Sequence, residues 1–79
     1  MKTRDGIRLS DILRAVQQAG ITVRTGTKHP YMLQKDGLRP CPLAESTDAY
    51  RMLTPWLRDA TGLDRNSIYE NLREGAWAA

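Results

Sequence analysis

The fold is decided by the stretch Gly26-Thr-Lys-His-Pro-Tyr-Met-Leu-Gln-Lys-Asp-Gly-Leu-Arg-Pro-Cys-Pro-Leu43. The stretch contains the only histidine of the chain, His29, directly after Lys28. It predicts a strand over residues 29–34, a turn at Asp36-Gly37 and a strand over residues 39–43, because an Asp-Gly pair between two apolar segments is a strong hairpin signal. Apolar residues at helical spacing lie on either side, so we expect helices to pack on this hairpin.

Two prolines predict that the last of these strands lies at an edge of the sheet. Successive N–H groups of a strand point to opposite sides, so Pro40 and Pro42 both remove a donor on the same side, and that side has to be the open edge. A two-residue Asp-Gly loop would point the prolines inward instead. We therefore expect a longer loop over residues 35–38, or a bulge near Leu38.

The segment before this stretch predicts one helix and one strand. Apolar side chains recur at helical spacing through residues 10–19, with Ser10 as the N-cap and Gly20 as a left-handed stop. Ile21, behind the glycine, is expected to pack back on the helix, as in a Schellman ending. The alternating, β-branched residues 21–24 predict the first strand.

The segment after it predicts two more helices. Residues 48–61 form the second helix, in which Pro55 either marks the start of the firm part or introduces a bend. The capping box Ser67-Ile-Tyr-Glu70 predicts a short third helix over residues 68–73. The last four residues are expected to be loose unless Trp77 docks on the core.

These elements predict an α+β domain with two layers, in the order α-β-β-β-α, with a three-stranded antiparallel sheet, helices on one face and a short extra C-terminal helix. A chain of 79 residues buries only about 60% of the surface that its unfolded form exposes, which leaves no room for a deep catalytic cavity. No apolar run is long enough to span a membrane. Cys41 is the single cysteine, so no internal disulfide can form, and we expect a cytoplasmic protein. The net charge of +3 permits a polyanionic partner without requiring one.

Several short motifs occur together at a recognisable spacing. They are Ala19-Gly20-Ile21 at the end of the first helix, Gly26-Thr27-Lys28-His29 before the second strand, Asp36-Gly37, Pro42, and Leu57-Arg-Asp-Ala-Thr-Gly-Leu63 at the end of the second helix. With these motifs, residues 10–63 resemble the HicA-type toxins, small ribonucleases with a double-stranded-RNA-binding-domain-like fold. The resemblance implies a HicA-like domain over residues 1–63 and a C-terminal helical extension over residues 64–79, packed on the same domain or trailing from it.

The resemblance also implies a site. In the family a Gly-Ser-x-His motif precedes the second strand and its histidine is catalytic, which implies His29 here, with Thr27 in the serine position. It implies RNA as the substrate, a cognate antitoxin as the protein partner, and cleavage without a metal or another cofactor.

Histidine suits this chemistry because its ordinary pKa, about 6.5, allows proton transfer near neutrality. His29 would accept the proton of a ribose 2′-hydroxyl, which then attacks the adjacent phosphate, and Lys28 would offset the charge that builds there. The RNA-binding residues that we predict are Lys28, Arg24, Thr27, Gly26 and Arg39. The same histidine and basic residues also fit an ordinary solvated surface, so that interpretation stays open.

The second strand has two faces, and both are partly apolar. If Met32 faces the helices, Tyr31 and Leu33 form an exposed apolar patch with the prolines of the third strand, and such a patch is typical of a protein interface. We prefer this assignment and predict Tyr31 and Leu33 as partner-binding residues. The opposite assignment buries both side chains and removes the patch.

The leading hypothesis is therefore a HicA-like toxin that binds and cleaves mRNA. The alternative is a catalytically inactive module of the same fold, such as a small phage or mobile-element inhibitor that binds a host protein or nucleoprotein complex. Two features favour the alternative: the extra C-terminal helix, and the apolar residues Tyr31 and Leu33 where the family often has basic ones. A third hypothesis is an RNA-binding domain that does not cleave. The sequence predicts no membrane partner and leaves a homodimer open.

Overall fold

A computed structural model describes residues 1–78 of the chain. Its elements are α1 (Leu9–Gln18), β1 (Thr22–Thr25), β2 (Tyr31–Gln34), β3 (Cys41–Leu43), a π-helical segment (Ala49–Leu53), α2 (Thr54–Thr61) and α3 (Arg65–Glu74). The strands form one antiparallel sheet in the order β1-β2-β3. The predicted α+β class is confirmed, and the order of one helix, three strands and a helix is that of the double-stranded-RNA-binding-domain-like fold. No helix within the described residues is long and apolar enough to cross a membrane.

The end of α1 follows the prediction, but its start does not. Gly20 has a φ of 84°, its N–H donates to the carbonyl of Gln17 at 3.1 Å, and the N–H of Ile21 donates to the carbonyl of Val16 at 3.0 Å. This is the Schellman ending. Ser10 is not the N-cap, because the helix begins one residue earlier, where the N–H of Leu9 donates to the carbonyl of Met1 at 3.0 Å. The N-terminal segment thus folds back and satisfies an N–H group at the start of the helix, a role that the sequence analysis assigned to the side chain of Ser10.

The edge position of β3 is confirmed, since it pairs with β2 alone. Cys41 pairs with Leu33, so residues 35–40 form a connection longer than the Asp-Gly pair. Within it the N–H of Leu38 donates to the carbonyl of Lys35 at 3.0 Å, and Gly37 takes a φ of 83° that suits the third position of the turn. The prediction of a loop longer than two residues is therefore correct, but the connection is two residues longer than predicted, because β3 begins at Cys41 and not at Arg39.

The assignment of the two faces of β2 is wrong. Leu33 has no exposed surface, and its neighbour across the sheet, Cys41, is 7% exposed. Tyr31 is half-buried and packs against the same core, opposite the fully buried Leu43. Met32 therefore points to the open face, and the predicted exposed patch of Tyr31 and Leu33 does not exist. Both faces of this strand are apolar enough to be buried, and the face that is buried is the one on which Leu33 lies between Val23 and Cys41.

The second helical region is continuous through Pro55. Asp48 caps the π-helical segment by accepting the N–H of Arg51 at 3.1 Å. At π spacing the N–H of residue 55 would donate to the carbonyl of Tyr50, and proline has none. That carbonyl instead accepts the hydroxyl of Thr54 and the guanidinium of Arg65, the latter at 3.2 Å. A wider turn ahead of the proline, with two side chains as substitute donors, lets the helix pass it.

The third helix is longer than predicted. It begins at Arg65, and its N-cap is Asp64, which accepts the N–H and the hydroxyl of Ser67 at 3.0 and 2.7 Å. The predicted capping box at Ser67 is therefore wrong, because Asp64 takes the capping role one turn earlier. The predicted stop at Gly75 is correct, with a φ of 73°.

The C-terminal segment is docked on the domain. Ile68 and Leu72 are fully buried, and α3 packs against α1 and α2. Trp77 packs against the core, and its backbone N–H donates to the side-chain oxygen of Gln18 at 2.8 Å. Ala79 lies outside the described residues. One core thus extends from the N-terminal segment to Trp77.

Candidate active site

The candidate catalytic residue lies in a five-residue loop, residues 26–30, which joins β1 to β2 and is called the histidine loop below. The N–H of Gly26 donates to the carbonyl of Pro30 at 3.4 Å, which closes the loop. A β-carbon at Gly26 would lie 2.5 Å from the carbonyl oxygen of His29 and 3.4 Å from Cγ of Met32. Only glycine allows this close approach, so the position of the His29 backbone depends on residue 26.

His29 is not part of β2, which begins two residues later at Tyr31. The side chains of Thr27, Lys28 and His29 are all exposed. Among residues 1–78, neither the imidazole nor the ammonium group of Lys28 takes part in a hydrogen bond or an ion pair. Both groups are thus presented to solvent without an intramolecular partner, and a substrate can reach them directly.

Met32 lies beside the histidine loop, since its Cγ is 3.4 Å from the position that a β-carbon on Gly26 would take, and Met32 belongs to the open face of the sheet. The register places Arg24, Met32 and Pro42 in one row across that face, and Thr22 and Gln34 in the next. Arg24 is exposed. The structure therefore brings Arg24 to the face that the loop leans on.

Arg39 lies at the other end of the sheet. It precedes β3, whereas the histidine loop adjoins the end at which Tyr31 pairs with Leu43. Lys35, directly after the far end of β2, is four positions from Tyr31, a distance of about 13 Å in a strand. The carbonyl of Arg39 accepts the indole N–H of Trp56 at 2.6 Å, which fixes this loop to α2. Arg39 and His29 thus cannot act on the same phosphate, although one extended chain could meet both.

The charges of this region are unpaired. The ion pairs found in the described part of the chain join Asp11 to Arg8 at 3.1 Å and Asp11 to Arg14. Both lie on the helical side of the molecule. The basic groups around the open face that lack an ion pair within residues 1–78 are Arg24, Lys28, Lys35 and Arg39. Asp36, in the β2–β3 turn, is the nearest acidic residue along the chain to that end of the face.

Three other residues considered as candidates, Tyr31, Leu33 and Cys41, are partly or fully buried. Leu33 cannot contact a partner, since it has no exposed surface, and a partner-binding role for the half-buried Tyr31 stays a prediction. Burial raises the pKa of the Cys41 thiol to about 11, which leaves it protonated and unreactive at neutral pH. Within residues 1–78, no three His, Cys, Asp or Glu side chains come together as metal ligands.

Two groups of residues were missed by the sequence analysis. Gln34 and Lys35 line an open groove beside Arg24, together with Thr22 and the β2–β3 turn. The period-two pattern would have identified them if Leu33 had been assigned to the core. The carboxylate of Asp5 accepts three hydrogen bonds from residues far along the chain, and no local pattern indicates these.

Comparisons with known proteins return no match: no family model, no curated protein and no solved structure is similar to this chain.

Proposed function

We propose that this protein is a HicA-like toxin that binds RNA and cleaves it without a metal ion, with His29 as the proton-transferring residue. The observation that carries the proposal is the exposed imidazole on a loop held by the Gly26 contact, next to the unpaired Lys28 and the open face that bears Arg24. A cognate antitoxin protein would inhibit it by covering the histidine loop in the cytoplasm.

The reaction that these groups support is an internal transesterification. His29 accepts the proton of a ribose 2′-hydroxyl, and the 2′-oxygen forms a bond to the adjacent phosphorus. The bond from phosphorus to the 5′-oxygen breaks, and that oxygen takes a proton from the imidazolium or from water. The products are a 2′,3′-cyclic phosphate and a 5′-hydroxyl end. Lys28 offsets the negative charge that builds on the phosphate oxygens.

The test is cleavage of a mixed-sequence RNA by the purified chain in the presence of a metal chelator, with the ends of the products identified. Wild type should release cyclic-phosphate ends, and His29→Ala should lower the rate by roughly 100-fold or more, in the range of 10² to 10⁴ that general acid–base catalysis contributes. Gln17→Ala, on the exposed side of α1 in the opposite layer, is the matched control and should cleave normally. RNA left equally intact by wild type and His29→Ala would refute the enzymatic proposal.

The inhibitor alternative loses the two features that favoured it. The apolar residues Tyr31 and Leu33 are explained by packing, because they face the helices. The extra helix α3 is explained in the same way, because Ile68 and Leu72 complete the core. An inactive interaction module is therefore the conclusion only if RNA stays intact while a protein partner binds wild type and His29→Ala alike.

A further inference from the structure

We infer that the open face of the sheet binds the backbone and bases of single-stranded RNA, along a path that leads from the histidine loop past Arg24 to the groove beside Lys35. The inference rests on the proposed function and names the form of RNA that the site takes. Below, this surface is called the strand path; its residues are Thr22, Arg24, Met32, Gln34, Lys35 and Pro42.

The strand path is continuous from the histidine loop to the groove. Met32 lies on the open face between Arg24 and Pro42, and its Cγ is 3.4 Å from the position that a β-carbon on Gly26 of the histidine loop would take. The open groove begins at Arg24 and continues to Gln34, Lys35 and the β2–β3 turn. Since consecutive rows are two residues apart, at about 3.3 Å per residue, the path from Tyr31 to Lys35 extends over about 13 Å. It therefore accommodates an extended chain that passes His29 at one end.

The strand path carries basic side chains. Arg24 and Lys35 lie along the path, and neither has an acidic partner within residues 1–78. Lys28 stands at one end and Arg39 follows the turn at the other, while Asp36 is the one acidic residue that lines the groove. The sheet layer thus presents net positive charge to the solvent, which complements a phosphate backbone.

The middle of the strand path combines apolar surface with an amide group. Met32 and Pro42 offer half-buried apolar surface, and Gln34 offers an amide beside it. Unpaired bases can use both, by packing on the apolar atoms and bonding their edges to the amide. A duplex keeps its bases stacked inside and would meet this apolar strip with phosphates. The face consequently suits a single strand better than a double one.

The free edge of β3 is a poor binding site for a peptide that would compete with RNA for the sheet. Pro40 and Pro42 remove donors from the free edge of β3, so a peptide cannot add to that edge as a further strand with a full set of hydrogen bonds. The face itself remains accessible, because Thr22 and Arg24 are exposed, while the core packs on the opposite side against Leu33, Cys41 and Leu43.

The experiment measures binding separately from cleavage. The probe is a fluorescent 2′-O-methyl oligonucleotide of about 4 to 16 residues, the range of single-strand sites, which lacks the nucleophilic hydroxyl and so stays intact. We expect Arg24→Ala and Lys35→Ala each to weaken binding by about five- to tenfold at low salt. Each should also reduce the slope of log K against log salt by about 0.7, the value for one phosphate contact to a single strand. Arg24→Lys should retain most of the slope.

The matched control is Arg58→Ala, which removes an equal charge from the exposed side of α2, in the opposite layer. Its binding should equal that of wild type. Equal losses for Arg24→Ala and Arg58→Ala would overturn the strand path, because attraction would then depend on net charge alone. A duplex of the same sequence that competes as well as the single strand would overturn it as well.

The two proposals fail in different ways. If His29-dependent cleavage occurs but Arg24→Ala and Lys35→Ala bind like Arg58→Ala, the strand path is wrong and the nuclease stands. If the oligonucleotide binds as predicted and no RNA is cleaved, the nuclease is wrong and the strand path stands.

Discussion

Asp5 provides the most direct test of how this small domain is held together. Its carboxylate accepts the hydroxyl of Thr3 at 2.7 Å and the N–H groups of Ala49 and Tyr50 at 3.0 and 3.1 Å. It also accepts the hydroxyl of Tyr69 at 3.0 Å. The two N–H groups belong to the first turn of the π-helical segment, so a residue 44 positions away acts as a second cap for it. One side chain thus joins the N-terminal segment to two helical elements.

Replacement by alanine should be costly. A hydrogen bond to a charged group contributes about 1.5 to 3 kcal/mol, but Asp5 is only partly buried, and water can replace part of what is lost. Loss of an N-cap alone costs about 1 kcal/mol. Taking the cap together with two further bonds, we expect Asp5→Ala to lower the free energy of unfolding by about 3 kcal/mol, which corresponds to a Tm lower by roughly 12 to 24 °C for a domain of this size.

The pH dependence has a definite sign. Partial burial alone would raise the pKa of Asp5, but the hydrogen bonds from Ala49, Thr3, Tyr50 and Tyr69 outweigh it and hold the pKa below its ordinary value of 3.8. A carboxylate with a lowered folded-state pKa contributes stability that is complete above the unfolded-state pKa and is lost as the pH falls through the folded-state pKa. The difference in stability between wild type and Asp5→Asn should therefore be constant near neutral pH and shrink below about pH 4.

Urea denaturation at several pH values measures both effects. The control is Asp59→Ala on the exposed side of α2, which should change the free energy of unfolding by less than about 0.5 kcal/mol. A loss for Asp5→Ala no larger than that of the control would refute the capping role. If the difference in the free energy of unfolding between wild type and Asp5→Asn grows as the pH falls, the electrostatic account is refuted.

Two further predictions concern glycines whose missing side chains leave room for a neighbour. Gly26→Ala should displace the His29 carbonyl by at least about 0.5 Å, since a β-carbon 2.5 Å away has to move apart; we expect RNA cleavage to fall by about 10- to 100-fold. Thr25→Ala, at the end of β1 directly before the loop, should retain cleavage within a few-fold, and full activity of Gly26→Ala would contradict the close-approach argument. Gly75→Ala should lower the free energy of unfolding by about 1 to 2 kcal/mol more than Gly62→Ala, because the β-carbon at position 75 would lie 2.8 Å from both Asp11 Oδ1 and Arg14 Nη2, whereas position 62 is open. Both glycines have a positive φ, so urea denaturation of the pair isolates the steric cost, and equal losses would show that the Asp11–Arg14 pair moves freely.

The parts of the fold that depend on neighbouring residues could be predicted from the sequence. The Schellman ending at Gly20 and the long β2–β3 loop both follow from constraints within a few residues. The start of α3 was mispredicted because Asp64 and Ser67 are equally good N-caps by local criteria. Arg65 decides between them: starting at Asp64 brings its guanidinium to the hydroxyl of Thr54 at 3.0 Å, a contact that only the tertiary structure reveals.

The face of β2 could not be predicted because the choice depends on tertiary packing, in which Leu33 shares its face with Val23 and Cys41, and not on the polarity of β2 itself. Met32 and Leu33 are both apolar, so alternation alone places either one inside. The error affected the candidate site, because the apolar patch gave way to a face with Arg24 and Gln34 on it. The position of His29 in a loop, and its exposure, were within reach of the sequence, since the Gly26-Thr-Lys-His-Pro run contains a glycine and a proline around it.

Stability and candidate function occupy opposite sides of this molecule. The long-range side-chain contacts, those of Asp5, Arg14, Trp56 and Arg65, lie among the helices and the loops that they hold. The groups proposed to bind and cleave RNA have no side-chain partner within residues 1–78 and stand on the sheet side. Exposed substitutions away from packing usually change stability by less than about 0.5 kcal/mol. His29→Ala and Arg24→Ala should therefore unfold like wild type, so that a loss of cleavage or binding in either variant reports on the site and not on the fold.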